Sequence, residues 1–259
     1  MTDFLDILAK TAKETVNQGY YDVQAEKSSR RISLKKSILE CKHAPVIAEI
    51  KTASPSAGII RKNLEPEKIA EAYAKGGAVG ISVLTEPKHF NGSIETLVRT
   101  RKSAKLPILM KDIFISPKQV ETASRIGADA ALLIQALFDR GHCETNAEEM
   151  IAKAHAENLE VLFETHNERE LQSALDTEAD LIGINNRDLR TLEVDLNVTK
   201  NLLEKTDCRG KIIISESGIK SPADIRFLSK CGAKAFLVGS SIMMSTDTEQ
   251  RVKELVAAL

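Results

Sequence analysis

The chain has 259 residues and a formal net charge of −1, with 42% hydrophobic and 28% charged residues. This balance is typical of a soluble globular protein and argues against a general nucleic-acid or membrane surface, which would need an excess of positive charge. No apolar run approaches the roughly 20 residues that a membrane-spanning helix needs. The first ten residues carry acids and no signal-like apolar block, so we expect a cytoplasmic protein.

Helical spacing marks the start of the chain. Apolar residues recur at this spacing from Phe4 to Val16, and Gly19 is suited to end the helix. A second short helix is predicted over residues 33–41. Both precede the first predicted strand and do not fit the repeat that follows, so we assign residues 1–44 to a helical extension. It is either a lid over one end of the domain or simple packing.

Short apolar runs alternate with helical segments in the rest of the chain. Their cores are apolar throughout, as expected for parallel strands covered on both faces. Eight such units predict a single (β/α)8 TIM barrel over residues 45–259, forming one structural domain with the extension. The alternative is an open doubly wound sheet, but no G-x-G-x-x-G motif follows the first strand. The predicted strands begin near Pro45, Val79, Pro107, Ala128, Leu159, Asp180, Lys211 and Lys234.

Several predicted helices carry start signals. Residues 116–119, Ser-Pro-Lys-Gln, form a capping box with proline at the first helical position. Residues 221–224 place proline in the same way, with an acid in the first turn. Residues 145–148 read as another capping box.

Seven of the eight apolar runs end in a polar or charged residue. The carboxyl ends of the strands in a closed parallel barrel face one side, so this recurring position predicts one pocket. On the first strand, Glu49 and Lys51 are expected to point with Ile47 into the barrel mouth, because side chains alternate along a strand. The residues at the strand ends are Lys51, Lys111, Gln135, Glu164, Asn185, Glu216 and Gly239 with Ser240.

The residue types at these ends are those of acid–base chemistry. A lysine in a water-poor pocket, such as Lys111, can donate a proton and then stabilise the oxyanion that it leaves behind. Of the two acids Glu164 and Glu216, one can take a proton while the other orients substrate or keeps a lysine charged. Two acids alone also fit a glycosidase, but the lysines and the phosphate signal argue against it.

Glycine and serine follow the last two predicted strands. Barrels often bind phosphate at these two loops through backbone N–H groups. Ser217 and Gly218 lie in the first loop, and Gly239 and Ser240 lie in the second. Glycine lets the backbone approach an anion closely, so the two loops together predict a phosphate site.

Metal-binding patterns are missing from the sequence. The four cysteines are far apart and form no C-x-x-C pair, so we expect neither zinc nor disulfides. The histidines show no ligand spacing. His166, just after Glu164, is interpreted as a surface or capping residue, with contact to the pocket as the alternative. Phe90 lies in a polar loop, where it either stacks on a planar ligand or fastens the next helix to the barrel.

The chain resembles the indole-3-glycerol-phosphate synthase family, in order and over almost its whole length. The match includes the helical leader, and its E-x-K-x-x-S-P-S and I-N-N-R-D-L stretches are highly specific. The matching segments are residues 49–56, 84–90, 111–112, 183–189, 215–219 and 239–241.

The resemblance implies a lyase of tryptophan biosynthesis that works without a cofactor or a metal. Its substrate would be a phosphosugar anilide, 1-(2-carboxyphenylamino)-1-deoxyribulose 5-phosphate. Ring closure with loss of carbon dioxide and water would give indole-3-glycerol phosphate. No nucleic-acid or membrane partner is implied, and a monomer is expected, with a weak homodimer as the alternative.

The resemblance also implies a role for each site residue. Lys111 would be the general acid at the carbonyl, and Glu164 would act with Lys51 and Asn185 in the dehydration. Glu49 and Glu216 would orient substrate and set the charge of the lysines. Phosphate would contact Ser54, Gly218, Gly239 and Ser240, bordered by Ser217, while Arg187 and Phe90 would shape the anthranilate side.

One stretch departs from the usual pattern of the family. After Lys111 and Asp112 the family usually has phenylalanine, whereas here Ile113 precedes Phe114. Ser116 also replaces an acid that is common there. The contact with the aromatic ring is therefore expected from an aliphatic side chain at 113 or from Phe114.

Three other activities compete with this interpretation. Phosphoribosylanthranilate isomerase shares the barrel and the phosphate site but needs a cysteine at the end of the first strand, where Glu49 and Lys51 stand. A Schiff-base aldolase would form a lysine adduct that borohydride traps. A non-catalytic phosphosugar-binding barrel would bind ligand without releasing carbon dioxide.

Overall fold

Eight parallel strands close into a barrel in a computed structural model that describes residues 3–24, 31–54, 58–61 and 64–259. The strand order is β1-β4-β5-β6-β7-β8-β9-β10, and β10 pairs again with β1, while β2 and β3 form a small antiparallel pair. The predicted (β/α)8 barrel is confirmed, and each barrel strand begins within two residues of its predicted start. The strands are β1 (Val46–Ile50), β2 (Ala53–Ser54), β3 (Gly58–Ile59), β4 (Gly80–Leu84), β5 (Ile108–Lys111), β6 (Ala130–Ile134), β7 (Glu160–Thr165), β8 (Leu181–Asn185), β9 (Ile212–Glu216) and β10 (Ala235–Val238).

Helices follow every barrel strand and cover the outside of the sheet. Among the described residues, none of these helices has the length and apolar character that crossing a bilayer requires. The helices are α1 (Phe4–Asn17), α2 (Leu34–Leu39), α3 (Pro66–Lys75), α4 (Ile94–Ser103), α5 (Pro117–Arg125), α6 (Gln135–Asp139), α7 (Ala147–Ala156), α8 (Glu168–Leu175), α9 (Asn197–Lys205), α10 (Pro222–Lys230), α11 (Ser240–Met243) and α12 (Thr248–Val256).

Several of these helices begin at a residue whose side chain caps the helix N-terminus. The capping box of α5, between Ser116 and Gln119, is confirmed, and α10 begins at the predicted position with a box of its own. The box predicted at residues 145–148 is wrong by one residue. Asn146, not Thr145, caps α7, because its side chain accepts a hydrogen bond from the backbone N–H of Glu149.

Apolar side chains form two layers, one inside the barrel and one between the strands and the helices. On β1, Val46, Ala48 and Ile50 belong to the outer layer, while Ile47 belongs to the inner one. This alternation is the one predicted, and it turns Glu49 inward with Ile47. Burial of both layers provides most of the driving force for folding and fixes the strand ends as a rigid platform.

The two leader helices lie at opposite ends of the barrel. Phe4 and Leu8 of α1 line the cavity at the carboxyl end of the strands. In contrast, α2 lies at the amino end, where a Cβ on Gly80, the first residue of β4, would be 2.6 Å from Cδ1 of Leu34. Next to it, the backbone N–H of Ile32 donates to Asp129 at 2.8 Å. The leader thus covers the mouth of the barrel with one helix and closes its floor with the other.

Candidate active site

A cavity of about 660 Å³ opens at the carboxyl end of the strands. The predicted contact of Ser54 with phosphate falls outside the described residues, because only the backbone of Ser54, in β2, is described. The strand-end pattern predicted that Gln135 would also face the pocket, and this prediction is wrong. Gln135 is the first residue of α6, and its buried side chain donates a hydrogen bond to Asp139 at 2.8 Å. The predicted residues that line the cavity are Glu49, Lys51, Phe90, Lys111, Glu164, Asn185, Arg187, Glu216, Ser217, Gly218, Gly239 and Ser240.

Lys111 lies between two buried carboxylates. Its Nζ is 3.1 Å from Oε2 of Glu164 and 3.0 Å from Oε2 of Glu216. The two carboxylate side chains are only 3% and 1% exposed. Burial works against the charge of Lys111, but Glu216, Glu164 and Glu49 outweigh it and raise the pKa of the lysine above its ordinary value. The side chain is therefore an ammonium that holds three strand ends together.

The pKa values of the two acids next to Lys111 are shifted in opposite directions. Burial works to raise the pKa of Glu164, but Lys111, His166 and Asn185 outweigh it and lower that pKa. Burial raises the pKa of Glu216, and repulsion by Glu164 raises it further. Together these two effects outweigh the attraction of Lys111, which lowers the pKa. Acids whose pKa values are pushed apart are suited to separate proton-donating and proton-accepting roles.

Glu49 and Lys51 form a second ion pair in the cavity. Their charged atoms are 2.8 Å apart, and the side chains are 4% and 14% exposed. Gly239, at the end of β10, leaves room for this pair, because a Cβ there would overlap the carboxylate of Glu49 and lie 3.0 Å from Nζ of Lys51. The glycine of the predicted phosphate loop therefore also makes space for the acid–base residues.

The two predicted phosphate loops are joined to each other. Oγ of Ser241, in the short helix α11 that follows β10 and Gly239, donates to the carbonyl oxygen of Ile219 in the loop after β9 at 3.0 Å. Ser217 and Gly218 have φ values of 65° and 84° in the left-handed region. A Cβ on Gly218 would also lie 2.5 Å from Cγ1 of Val194, so both the backbone and the available space favour glycine.

Known proteins match the chain along its length. The family model described as indole-3-glycerol phosphate synthase covers residues 5–255. The chain belongs to this family. Members of the family are carboxy-lyases of tryptophan biosynthesis.

Individual relatives agree with the family assignment. An indole-3-glycerol phosphate synthase of Methanocaldococcus jannaschii is 43% identical over 239 residues, which cover 91% of this chain and 86% of that protein. One from Dehalococcoides mccartyi is 42% identical over 84% of this chain and 83% of that protein. The structure of thiamine phosphate pyrophosphorylase from Pyrococcus furiosus has a TM-score of 0.58 at 18% identity, covering 86% of this chain and 96% of that one, and shows the fold alone.

Apolar residues form the wall of the cavity at the place where the family motif departs from its usual form. Ile113 lines the cavity, whereas Phe114 is fully buried in the outer apolar layer. The aliphatic alternative of the sequence analysis is therefore the one that the geometry supports.

Phe4 and Leu8 of α1 also line the cavity. Their helical spacing was visible in the sequence, but spacing alone gave no indication of which end of the barrel α1 covers.

A buried carboxylate shapes the loop that carries Phe90. Glu86 accepts the backbone N–H groups of Lys88, His89 and Phe90 at 2.9, 2.7 and 2.9 Å. Phe90 lines the cavity and packs against the inner apolar layer. Its ring is thus available to a planar ligand. Glu86 was not among the predicted site residues, although an acid directly before a turn commonly accepts hydrogen bonds from the backbone N–H groups of that turn.

His166 is not the surface residue that sequence analysis suggested. It does not cap α8 either, because Asn167 is the N-cap residue, and Nδ1 of His166 lies 3.1 Å from Oε2 of Glu170. Its Nε2 lies 3.2 Å from Oε1 of Glu164, and the side chain is only 12% exposed. The alternative of the sequence analysis, in which His166 contacts the pocket, is therefore the one that the geometry supports.

Gly183 is another site residue that sequence analysis passed over. It lies in β8, and a Cβ there would overlap Oε1 of Glu216 and be 3.4 Å from Cα of Glu164. An isolated glycine within a strand often marks such a close approach, so the signal was present in the sequence.

We expect Gly183→Ala to lower kcat by about tenfold or more, because the added methyl group displaces Glu216 from Lys111 and disturbs the proton-transfer geometry. Steady-state kinetics of indole formation measure the change. Ser173→Ala, an exposed change in α8, is the control. A Gly183→Ala enzyme with the kcat of the Ser173→Ala enzyme would contradict this account.

Asp112 carries a buried carboxyl group beside Lys111. It accepts hydrogen bonds from the hydroxyls of Tyr21 and Thr85 and from the backbone N–H of Ile113. Burial raises the pKa of Asp112 to about 6, from an ordinary value of 3.8. The folded state therefore binds this proton more tightly than the unfolded state does. The resulting stability is present in full below about pH 4 and is lost as the pH rises through about 6.

We expect Asp112→Asn to remove this pH dependence, because the amide stays neutral and Oδ1 can still accept from Tyr21 and Ile113. Relative to the wild type, the variant should gain on the order of 1–3 kcal/mol of unfolding free energy between acid and neutral pH. Denaturant unfolding of both proteins from pH 4 to pH 7.5 measures the difference. Parallel curves for the two proteins would show that Asp112 is not the titrating group.

Proposed function

We propose that this protein converts 1-(2-carboxyphenylamino)-1-deoxyribulose 5-phosphate into indole-3-glycerol phosphate, with loss of carbon dioxide and water. One observation carries the proposal: in a chain of this family, the Lys111 ammonium lies between Glu164 and Glu216 at the barrel mouth. This arrangement supplies a positioned acid and two carboxylates at one point of the cavity.

The shape of the cavity supports this substrate. The joined loops that contain Gly218 and Gly239 provide a place for the phosphate at the ends of β9 and β10. Phe90 and Ile113 provide an apolar wall for the anthranilate ring. A substrate held at both ends would have its ribulose carbonyl in the middle, where Lys111 lies.

Ring closure needs an acid at that carbonyl. Carbon 1 of the anthranilate ring attacks the ribulose carbonyl carbon, and Lys111 donates a proton to the oxygen as the bond forms. The contacts with Glu164 and Glu216 fix the ammonium in place, which reduces the reorganisation that the step requires. Carbon dioxide then leaves, and its bonding electrons restore the aromatic ring.

Dehydration needs a base close to the same centre. The hydroxyl formed from the carbonyl leaves as water, and Glu164 takes the proton released as the double bond of the indole forms. Nδ2 of Asn185 donates to Oε1 of Glu164 at 3.0 Å and orients this carboxylate. In the structure Lys51 pairs with Glu49 rather than with Glu164, so we assign Lys51 to this step as a donor that Glu49 holds in place.

Indole fluorescence tests the proposal directly. Purified protein mixed with the carboxyphenylamino-deoxyribulose phosphate should produce the indole signal together with carbon dioxide. Binding without release of carbon dioxide would favour a phosphosugar-binding barrel and overturn the proposal. A borohydride-trapped lysine adduct would favour an aldolase. The absence of a first-strand cysteine still argues against the isomerase.

The remaining expectations about the protein as a whole can be tested on the same sample. We propose a monomer, with a weak homodimer as the alternative, and sedimentation distinguishes the two. We also propose a cytoplasmic enzyme that works without a cofactor, so a dialysed sample should keep its full activity. Residues 1–44 are proposed to act as an extension of the barrel at residues 45–259.

A further inference from the structure

His166 contacts the carboxylate oxygen of Glu164 that Lys111 does not contact. Its Nε2 is 3.2 Å from Oε1 of Glu164, and its Nδ1 is 3.1 Å from Oε2 of Glu170. The three side chains are 12%, 3% and 10% exposed, so little water separates them. The imidazole ring thus contacts Glu170 through Nδ1 and lies within ion-pair distance of Glu164, the proposed base, although Nε2 is not aligned for a hydrogen bond.

The contacts of Glu170 decide which ring nitrogen carries the permanent proton. Oε2 of Glu170 also accepts the backbone N–H of His166 at 2.8 Å, and Nδ2 of Asn167 donates to its Oε1. A carboxylate in this position accepts hydrogen bonds, so Nδ1 of the ring is the donor. Nε2 therefore carries a proton toward Glu164 only when the ring is an imidazolium.

Other charged groups near the ring are occupied elsewhere. Arg140, Arg187, Asp188 and Arg190 line the adjoining cavity of about 420 Å³. Asp188 and Arg190 pair with each other at 2.7 Å, and Arg187 donates to a backbone carbonyl oxygen. Arg140 pairs with Asp3 and Asp6 of the leader. The two carboxylates next to the ring are thus the charges that act most directly on His166.

We propose that His166 is a positioning residue of this enzyme: its imidazolium, in contact with Glu170 and within ion-pair distance of Glu164, holds Glu164 ionised for the dehydration step. The inference rests on the proposed function. Loss of the Nε2 proton would leave a lone pair facing Oε1 of Glu164, and repulsion between them would turn the carboxylate or draw a proton onto it.

The titration of His166 supports the same conclusion. Burial works to lower the pKa of His166, but Glu164 and Glu170 outweigh it and raise the pKa to about 9. Lys111 keeps its proton to higher pH, because the carboxylates around it raise its pKa above the ordinary value. An alkaline limb near pH 9 in the kcat profile would therefore report on His166 and not on Lys111.

His166→Gln tests the proposal, because its amide keeps a donor near Nε2 but has no charge. We expect kcat at pH 7.5 to fall about tenfold while KM changes less than about twofold, and the alkaline limb near pH 9 to disappear. The matched control is His155→Gln, since His155 also pairs with a carboxylate, Asp180, but lies away from the cavity. We expect this control to keep the wild-type profile.

A second variant keeps the test valid if His166→Gln fails to fold. Glu170→Gln leaves the histidine in place but removes the charge at Nδ1, so the alkaline limb should move to lower pH. The Cε1 proton of His166, identified by its altered titration in Glu170→Gln, should titrate near pH 9 by NMR in the wild type, whatever the activity.

The outcomes separate this inference from the proposed function. A wild-type protein that forms no indole would refute the proposed function. A wild-type protein that forms indole, while the His166→Gln and Glu170→Gln profiles match it, would overturn the role of His166 alone. Titration of the Cε1 proton near 6.5, the ordinary value for histidine, would also overturn that role.

Discussion

Lys111→Ala is expected to lower kcat by at least about 100-fold, the range in which general acids contribute. The variant loses the positioned ammonium between Glu164 and Glu216, which is the proposed acid at the carbonyl. The two carboxylates would also face each other without their counter-ion, so we expect lower thermal stability at neutral pH, with recovery in mild acid. Indole fluorescence gives kcat, and circular dichroism shows whether the fold is retained.

The matched control for this variant is Lys234→Ala. Lys234 is exposed and directly precedes β10, so it lies at the opposite end of the barrel from the cavity. Its replacement should change neither kcat nor KM. A folded Lys111→Ala enzyme that turns over as fast as Lys234→Ala would defeat the assignment of the general acid.

Glu164→Gln should also lower kcat by about 100-fold or more, although the side chain keeps its size. The carboxylate now accepts from Lys111 and Asn185 and contacts His166. An amide has one acceptor oxygen, so one of these donors would instead face the NH₂ group. The variant loses the base and leaves a donor unpaired, which adds the cost of an unsatisfied buried group.

This variant has a second readout that does not depend on catalysis. Glu164 is one of the groups that raise the pKa of His166, so the pKa of the histidine should fall in Glu164→Gln. Glu178→Gln, an exposed change in the turn before β8, is the control for both measurements. An unchanged kcat in Glu164→Gln would remove the residue from the mechanism, and an unchanged His166 titration would show that the two groups are not coupled.

The sequence was most informative about the fold where the signal is local and repeated. Apolar runs covered on both faces located all eight barrel strands, and the Ser116 capping box located the start of α5. The pair β2 and β3 was not predicted, because strands of two residues show no periodicity. At residues 145–146 two adjacent residues are both suited to cap a helix, and the tertiary environment selects Asn146.

For the site, prediction succeeded where strand geometry dictates direction. Alternation along β1 placed Glu49 and Lys51 in the cavity, because the register of the strand is fixed by Ile47. The same rule favours the contact of His166, two residues after Glu164, with the pocket, because β7 continues past Phe163 to Thr165. The sequence alone could not show whether Ile113 or Phe114 faces the aromatic ring of the substrate. The chain leaves β5 at Lys111, and the direction of the residues after it depends on the loop.

The division of the leader between both ends of the barrel affects how the chain folds as the ribosome makes it. The bond from Ile32 to Asp129 spans 97 residues, that from Lys35 to Glu160 spans 125, and that from Arg140 to Asp3 spans 137. The contacts of the leader are therefore complete only after Glu160 has been made, although its contacts with Thr85 and His89 can form earlier. Contacts of such long sequence separation form slowly, so the leader is expected to reach its full native packing among the last parts of this chain.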